Sequence, residues 1–164
     1  MDGMIATVLG IGRLRPAPGT WGSAAALALG YGLHRAGHFP LVLAGTAAAI
    51  LLGFWSVARF TAGMADKDRS EIVIDEVAGQ LIALCATSGG FWFAGLPRDA
   101  MPWPGLVMPF LFFRLFDIWK PWLVGRADRR RDAAGVMLDD IWAGLFAAAA
   151  SIAAAGIYHG VVMG

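Results

Sequence analysis

Charged residues and cysteine are both scarce in this sequence. Asp, Glu, Lys and Arg together make up 15% of the 164 residues, whereas hydrophobic residues make up 58%. Soluble domains are nearer ~25% charged. A chain of this length has too little interior to bury such an apolar excess, so lipid is its more natural solvent. The single cysteine, Cys85, cannot form an internal disulfide, so nothing indicates an oxidising compartment.

The chain also lacks a strong charge of either sign and a basic leader. A formal net charge of +1 argues against a nucleic-acid partner, because such proteins usually carry a clear basic excess. Arg13 and Arg15 follow the first apolar residues instead of preceding them, which is not the arrangement of a secretory signal. We therefore interpret residues 1–164 as a single domain of an integral membrane protein.

Five apolar stretches are separated by charged or Pro- and Gly-rich joints. They cover residues 22–33, 40–63, 72–96, 104–119 and 136–163. The second and fifth reach the ~20 residues that a helix needs to cross a hydrocarbon core, the third and fourth are marginal, and the first is short. None of them alternates apolar and polar residues with period 2, as a strand would. A helix also makes all its backbone hydrogen bonds within itself, as a segment in lipid must. The sequence predicts an all-α fold, a small polytopic membrane bundle of about five apolar helices whose first member crosses or is re-entrant.

The basic residues fall mostly on one side of a five-crossing topology. Arg35 and Arg98 lie on the first side. The second side receives Arg13, Arg15, Lys67, Arg69, Lys120, Arg126, Arg129, Arg130 and Arg131. The positive-inside rule makes the second side cytoplasmic. The same side receives three acidic segments, which predicts a functional site at the cytoplasmic interface.

These acidic segments read DKDRSEIVIDEVAGQ, FRLFDIWKP and GVMLDDIWAG. Their candidate residues are Asp68, Glu71, Asp75, Glu76, Asp117, Asp139 and Asp140. Ionisable groups near membrane spans mark function by default. On a helix, Asp68, Glu71 and Asp75 would share one side. Clustered carboxylates repel each other unless a cation compensates them, and Mg²⁺ prefers oxygen ligands, whereas no Cys/His set favours zinc.

Groups that could bind phosphate accompany the acids. Arg114 and Lys120 could hold phosphate charge, and Thr20 and Ser23 lie in a Gly- and Pro-rich turn whose helix-start N–H groups could do the same. Simpler interpretations stay open at this point. Thr20 or Ser23 could only cap a helix, Arg114 could pair structurally with Asp117, and first-turn acids are favoured by the helix dipole.

In these segments the sequence resembles the phosphatidylglycerophosphatase A family. The matching pieces are RPAPGTWGS, KDRSEIVIDEVAGQ, FFRLFDIWKPW and GVMLDDIWAG, which occur in the family's order between about Gly10 and Gly144. The resemblance implies a Mg²⁺-dependent phosphatase of the bacterial inner membrane, in phospholipid synthesis. It would hydrolyse phosphatidylglycerophosphate to phosphatidylglycerol and inorganic phosphate. The family's acids carry over onto the seven candidates above, and its basic pair onto Arg114 and Lys120.

We therefore expect metal-assisted phosphomonoester hydrolysis, with the lipid tails between helices. The expected metal ligands are Asp68, Glu71, Asp75, Glu76, Asp139 and Asp140. The expected catalytic residues are Asp75, Glu76, Asp117, Lys120, Asp139 and Asp140, and the phosphate-binding residues are Arg114, Lys120, Thr20 and Ser23. Whether an aspartate or a water molecule attacks phosphorus stays open.

Other function classes remain as alternatives. A phosphatidyltransferase would also use acids and Mg²⁺ at this face, but would need a nucleotide-activated lipid. A small transporter or scaffold would spread its acids across the membrane depth instead of gathering them at one interface. A soluble all-α relative is a third alternative, because two stretches are marginal spans. Gly156 and Gly160 form a GxxxG pattern that could pack helices within one chain or in a homo-oligomer.

Overall fold

The structure, a computed structural model, describes residues 1–162, and every regular element in that range is helical. The helices, in chain order, are α1 (Asp2–Ala6), α2 (Pro18–Phe60), α3 (Ile74–Phe93), α4 (Pro104–Trp119), α5 (Leu123–Asp128) and α6 (Ala133–Val162). A short 3-10 turn, Ile11–Arg13, precedes α2. The predicted all-α fold is confirmed for the described residues.

The predicted apolar stretches correspond closely to the long helices. Stretch 104–119 coincides with α4, stretch 72–96 contains α3, and stretch 136–163 falls on α6, with Met163 outside the described residues. The first two stretches belong to one long helix, α2. The short helices α1 and α5 were not predicted, because five or six residues are too few to show a helical period.

Helix α2 is broken at His38. An unbroken helix of its 43 residues would be ~65 Å long, about twice the hydrocarbon thickness of a bilayer. His38 has φ 60° and ψ −156°, which lies outside the helical region, and Pro40 follows two residues later. Proline removes a backbone donor, so the helix cannot continue normally across this point. The break divides α2 into two arms, residues 18–37 and 39–60.

The two arms run along α3 in opposite directions. The first arm starts beside Val73, because a Cβ added at Gly22 would lie 2.8 Å from the Val73 side chain. Further along, the arm reaches the far half of α3, where His34 Nδ1 lies 2.8 Å from Ser88 Oγ. The second arm returns, because a Cβ at Gly53 would lie 3.6 Å from the first side chain of α3. Helix α2 is therefore a helical hairpin whose two ends both lie where α3 begins.

Glycines bring α3 and α6 into backbone contact. A Cβ at Gly144 in α6 would overlap the carbonyl group of Gly79 in α3, and a Cβ at Gly79 would overlap the carbonyl oxygen of Asp140. Asp75 precedes Gly79 by four residues, and Asp140 precedes Gly144 by four. Residues four apart share a helix face, so this contact carries the two carboxylates toward each other.

Two of the helices have apolar surfaces that suit a membrane. Pro18–Phe60 and Ala133–Val161 are long and apolar enough to span one, yet only 33% and 22% of their most apolar segments are buried. A core helix of a soluble protein would be mostly covered, so this exposure favours contact with lipid. The predicted membrane character is supported to this extent, and the count of five crossings stays a prediction.

Replacing Gly144 by alanine tests the α3–α6 contact. The added Cβ would overlap the Gly79 carbonyl group, so we expect a loss of about 1–3 kcal/mol in the free energy of unfolding. Gly156→Ala is the matched control on the same helix, because a Cβ there meets nothing within 4 Å. It should gain about 0.5–1 kcal/mol from helix propensity. Unfolding in detergent measures both, and equal effects would contradict the close approach.

Candidate active site

Three carboxylates meet where α3 and α6 begin. One carboxylate oxygen from each of Asp75, Glu76 and Asp140 lies within 4.8 Å of the other two. Asp75 is only 8% exposed and Asp140 only 4%, so water cannot screen them well. Like charges in such a place repel strongly, and burial of unpaired charge is costly. These three residues, called the acidic trio below, therefore need a compensating cation or protons.

Two oxygens of the acidic trio have no hydrogen-bond partner among the described residues. They are Glu76 Oε2 and Asp140 Oδ1, and both are buried. A buried polar atom left unpaired costs about 1–3 kcal/mol, and more when it is charged. An all-oxygen donor set suits a hard divalent cation such as Mg²⁺. The residues present therefore fit the predicted class of metal ion.

Arg114 of α4 lies beside the trio. Its guanidinium forms an ion pair with Asp117, and its Nη1 lies 3.5 Å from Ser23 Oγ of α2. A Cβ at Gly19 would overlap the Glu76 carboxylate and lie 3.3 Å from Arg114 Nη1. Glycine at position 19 therefore lets the start of α2 come close to both a carboxylate and a guanidinium. Arg114 and Asp117 do form the ion pair of the simpler interpretation. The same ion pair also holds the Arg114 guanidinium at the site.

Lys120 is the second of the two predicted phosphate-binding cations. It ends α4 in the left-handed region, with φ 51°, and its Nζ pairs with Asp128 and lies 3.2 Å from Asp139 Oδ2. Partial burial alone would lower the pKa of Lys120, but hydrogen bonds and charges from Asp128 and Asp139 outweigh it. They raise the pKa above its ordinary value of 10.5. Asp139 is thus the partner of Lys120 and lies outside the acidic trio.

The interpretation of Asp68, Glu71 and Asp75 as one helix face is wrong. Residues 66–73 form a loop before α3, because the backbone N–H of Val73 bonds to α1 instead of continuing a helix. Asp68 is exposed, and Glu71 pairs with two arginines at 3.6 and 3.8 Å. The structure therefore brings only Asp75 of these three into the trio, and gives the predicted ligand role of the other two no geometric support.

The two hydroxyl residues of α2 differ in position. Ser23 is fully buried, donates to the Gly19 carbonyl oxygen at 2.8 Å, and lies next to Arg114. Thr20 is exposed in the first turn. Neither side chain caps the helix, which begins with Pro18 at its first position. Ser23 therefore adjoins the phosphate-binding candidate Arg114, and the predicted role of Thr20 stays a prediction.

Gln80 is a polar residue that sequence analysis did not select. It is fully buried in α3, and neither its Nε2 nor its Oε1 has a hydrogen-bond partner among residues 1–162. Gln80 follows Glu76 by four residues and so lies one turn further along the same helix face. The sequence does carry a signal for it, an amide inside an apolar run one turn after an acid. A buried amide without partners is costly to the fold, so Gln80 becomes a candidate member of the site.

The fold and the site together define a class of protein. It is an all-helical, membrane-associated protein with a buried oxygen-donor centre and two arginine or lysine cations beside it, an arrangement suited to a phosphate ester. The model of the phosphatidylglycerophosphatase A family matches residues 4–155. The chain belongs to the phosphatidylglycerophosphatase A family, which confirms the resemblance and identifies it as a phosphatase of lipid metabolism.

Individual relatives agree with this assignment. A phosphatidylglycerophosphatase A of Haemophilus influenzae is 34% identical, over 88% of this chain and 82% of its own length. One from Escherichia coli K12 is 32% identical, over 88% and 78%. A Bacteroides thetaiotaomicron protein, provisionally named a phosphatidylinositol-3-phosphatase, is 30% identical over 87% and 86%. No solved structure matches the chain.

Gln80→Met should separate stability from activity. Methionine has a similar size and leaves no unpaired polar atom, so we expect the free energy of unfolding to rise by about 1–3 kcal/mol. Activity should fall at least ~10-fold if the amide positions a ligand of the trio. Ser151→Ala is the control, because Ser151 Oγ is also buried without a partner but lies far along α6. Ser151→Ala should gain stability and keep full activity. If Gln80→Met also keeps full activity, Gln80 has no role in the site.

Lys120→Gln should weaken substrate binding at every accessible pH. Because the folded-state pKa of Lys120 is raised, its ion pairs stabilise the protein below the ordinary value and are lost only as pH rises through the raised one. The ratio of wild-type to variant kcat/KM should therefore stay constant, on the order of 10-fold or more, from about pH 7 up to and past the ordinary pKa of 10.5. Lys67→Gln, which removes the other lysine, is the control. A ratio that already collapses at pH 10.5 would contradict the raised pKa.

Proposed function

We propose that this protein hydrolyses phosphatidylglycerophosphate to phosphatidylglycerol and inorganic phosphate, with Mg²⁺ held by Asp75, Glu76 and Asp140. The observation that carries the proposal is the acidic trio, which offers buried, unpaired oxygens beside Arg114. Family membership and the names of the Haemophilus and Escherichia relatives supply the substrate. A bound divalent cation would polarise the phosphoryl oxygens and position the attacking group.

The chain's own residues divide the remaining work. Arg114 binds anionic oxygens of the phosphate, and Asp117 holds its guanidinium in place through their ion pair. Ser23 lies 3.5 Å from Arg114 Nη1 and limits its movement from the α2 side. Such fixed cations stabilise the charge that develops on the transferred group without having to reorient.

Lys120 and Asp139 form a second pair on the α6 side. Asp139 Oδ2 accepts from Lys120 Nζ at 3.2 Å, and its Oδ1 accepts from the Asp140 backbone N–H at 3.0 Å. Asp139 therefore links the lysine to the backbone of a trio member. We assign it a positioning role for Lys120, together with the catalytic role expected from its place in the Asp-Asp pair.

We place the protein in the bacterial inner membrane with the acidic trio at the cytoplasmic face. The distribution of cations supports this orientation. The connections at the trio's end carry Lys67, Arg69 and the run 126–131, whereas the far end carries only Arg35 and Arg98. The two arms of α2 with α3, α4 and α6 supply five segments that could cross the bilayer.

The phosphatidyltransferase alternative uses the same ligands but a different substrate. It requires a nucleotide-activated lipid and releases CMP, whereas the phosphatase releases only inorganic phosphate. The transporter alternative is disfavoured, because the acidic trio lies at one end of α3 and α6 and not along their length. The provisional name of the Bacteroides relative makes phosphatidylinositol 3-phosphate the comparison substrate to test.

Phosphate release by detergent-purified protein tests the proposal. Wild type should release phosphate from phosphatidylglycerophosphate with Mg²⁺ and lose activity with EDTA, and Asp140→Asn should lose at least ~10²-fold because a metal ligand is removed. Asp99→Asn is the matched control, since Asp99 lies in the connection between α3 and α4.

Two results would count against the proposal. Unimpaired phosphate release in EDTA would show that the reaction needs no metal ion. No release from a monodisperse sample would favour the transferase, and a CDP-activated lipid would then be supplied to test that alternative. Faster hydrolysis of phosphatidylinositol 3-phosphate would keep the chemistry and change the substrate.

A further inference from the structure

A groove of about 560 Å³ lies between the end of α4 and α6. Its lining consists of Phe116, Trp119, Lys120, Pro121, Trp122 and Phe146. The Phe116 and Phe146 rings in this lining pack edge to face against each other, with 5.9 Å between their centroids. Apart from the Lys120 ammonium group, the lining side chains are aromatic or apolar. A ligand of this groove must therefore be mostly hydrocarbon with one anionic group.

The backbone holds this groove in a strained conformation. Lys120 and Trp122 have φ angles of 51° and 41°, in the left-handed region that side chains other than glycine rarely adopt. Helix α5 packs directly behind them, since a Cβ at Gly125 would lie 2.6 Å from the Lys120 carbonyl oxygen. Non-glycine residues persist in such conformations where the surrounding structure fixes them, often at ligand sites. Here the packing of α5 fixes the backbone at Lys120.

The groove is continuous with the candidate active site through Lys120. The ammonium group at its rim lies 3.2 Å from Asp139 Oδ2, and Asp139 adjoins the trio member Asp140. Trp119 is 70% exposed and Trp122 is 88% exposed, so the groove is open to the surroundings of the bundle. An open groove with an aromatic and apolar lining suits a hydrocarbon ligand.

From these observations we infer that the groove binds the first part of a substrate acyl chain while Lys120 holds an anionic oxygen of the same lipid's headgroup. The inference rests on the proposed function. It commits to the lipid substrate because the groove combines hydrocarbon lining with a single cation, and because that cation leads directly to the acidic trio. Phe116, Trp119, Trp122 and Phe146 then determine how strongly the enzyme prefers acylated over deacylated substrate.

Two substrates that share one headgroup test the inference. One is diacyl phosphatidylglycerophosphate in mixed micelles, and the other is its water-soluble deacylated form. Phe146→Ala and Trp122→Ala should lower kcat/KM for the diacyl lipid by roughly 10-fold, the scale expected for a lost apolar contact, and leave the deacylated substrate unchanged. Trp103→Ala is the matched control, an exposed tryptophan before the first residue of α4, at the opposite end of that helix.

Binding provides a second readout that does not require turnover. In the Asp140→Asn background, calorimetric affinity for the intact diacyl lipid should fall by a similar factor with Phe146→Ala, and Phe146→Leu should restore most of it. Equal losses on both substrates, or an equal effect of Trp103→Ala, would overturn the groove while leaving the phosphatase intact. Failure of the proposed function looks different, since wild type would then hydrolyse neither substrate, and lipid binding that still depends on Phe146 would uphold the groove.

Discussion

The contact between Gly79 and Gly144 determines most of what this structure can do. It lets the backbones of α3 and α6 touch, because neither residue has a Cβ to keep them apart. One turn before each glycine stands an aspartate, so the same contact draws Asp75 and Asp140 into one small volume. Helix packing supplies the force that holds two carboxylates against their repulsion. The remaining groups of the site, on α2 and α4, gather around a geometry that α3 and α6 have already fixed.

The site concentrates unpaired polar atoms where a stable core would have none. Glu76 Oε2, Asp140 Oδ1 and both polar atoms of Gln80 are buried without partners among the residues described. Each such atom lowers the stability of the folded chain, and proteins retain them mainly where a ligand satisfies them. The nearby cations also face acids outside the trio, since Arg114 pairs with Asp117 and Lys120 with two other acids, so they do not fully offset the charge of the trio. The local charge balance therefore calls for a cation from outside the chain or for bound protons.

Composition and run lengths were enough to predict an all-helical membrane protein, because burial and lipid contact both act on side-chain hydrophobicity. The convergence of the acidic segments near Asp75, Asp117 and Asp140 was predicted by counting membrane crossings between them, which placed all three segments on one side. The loop at residues 66–73 was not predictable this way, since it depends on a backbone hydrogen bond from Val73 to α1. The break in α2 falls in the expected joint between stretches 22–33 and 40–63, but the sequence did not reveal that one residue, His38, turns the chain there without a polar loop. Gln80 was missed because what distinguishes it is the lack of hydrogen-bond partners for its buried amide among the described residues, which only the packed structure reveals.

The tight turn at His38 has a consequence for how the chain enters a membrane. Its two arms are joined with almost no intervening loop, so in the proposed five-crossing topology they would insert as a paired unit. The charged side chains near the turn and the α3–α4 connection are few, namely Arg35, Arg98 and Asp99. Moving a charge through hydrocarbon costs several kcal/mol, so this scarcity keeps the barrier to translocation low. In the proposed topology, the same turn that shapes the bundle would also ease the insertion of its two arms.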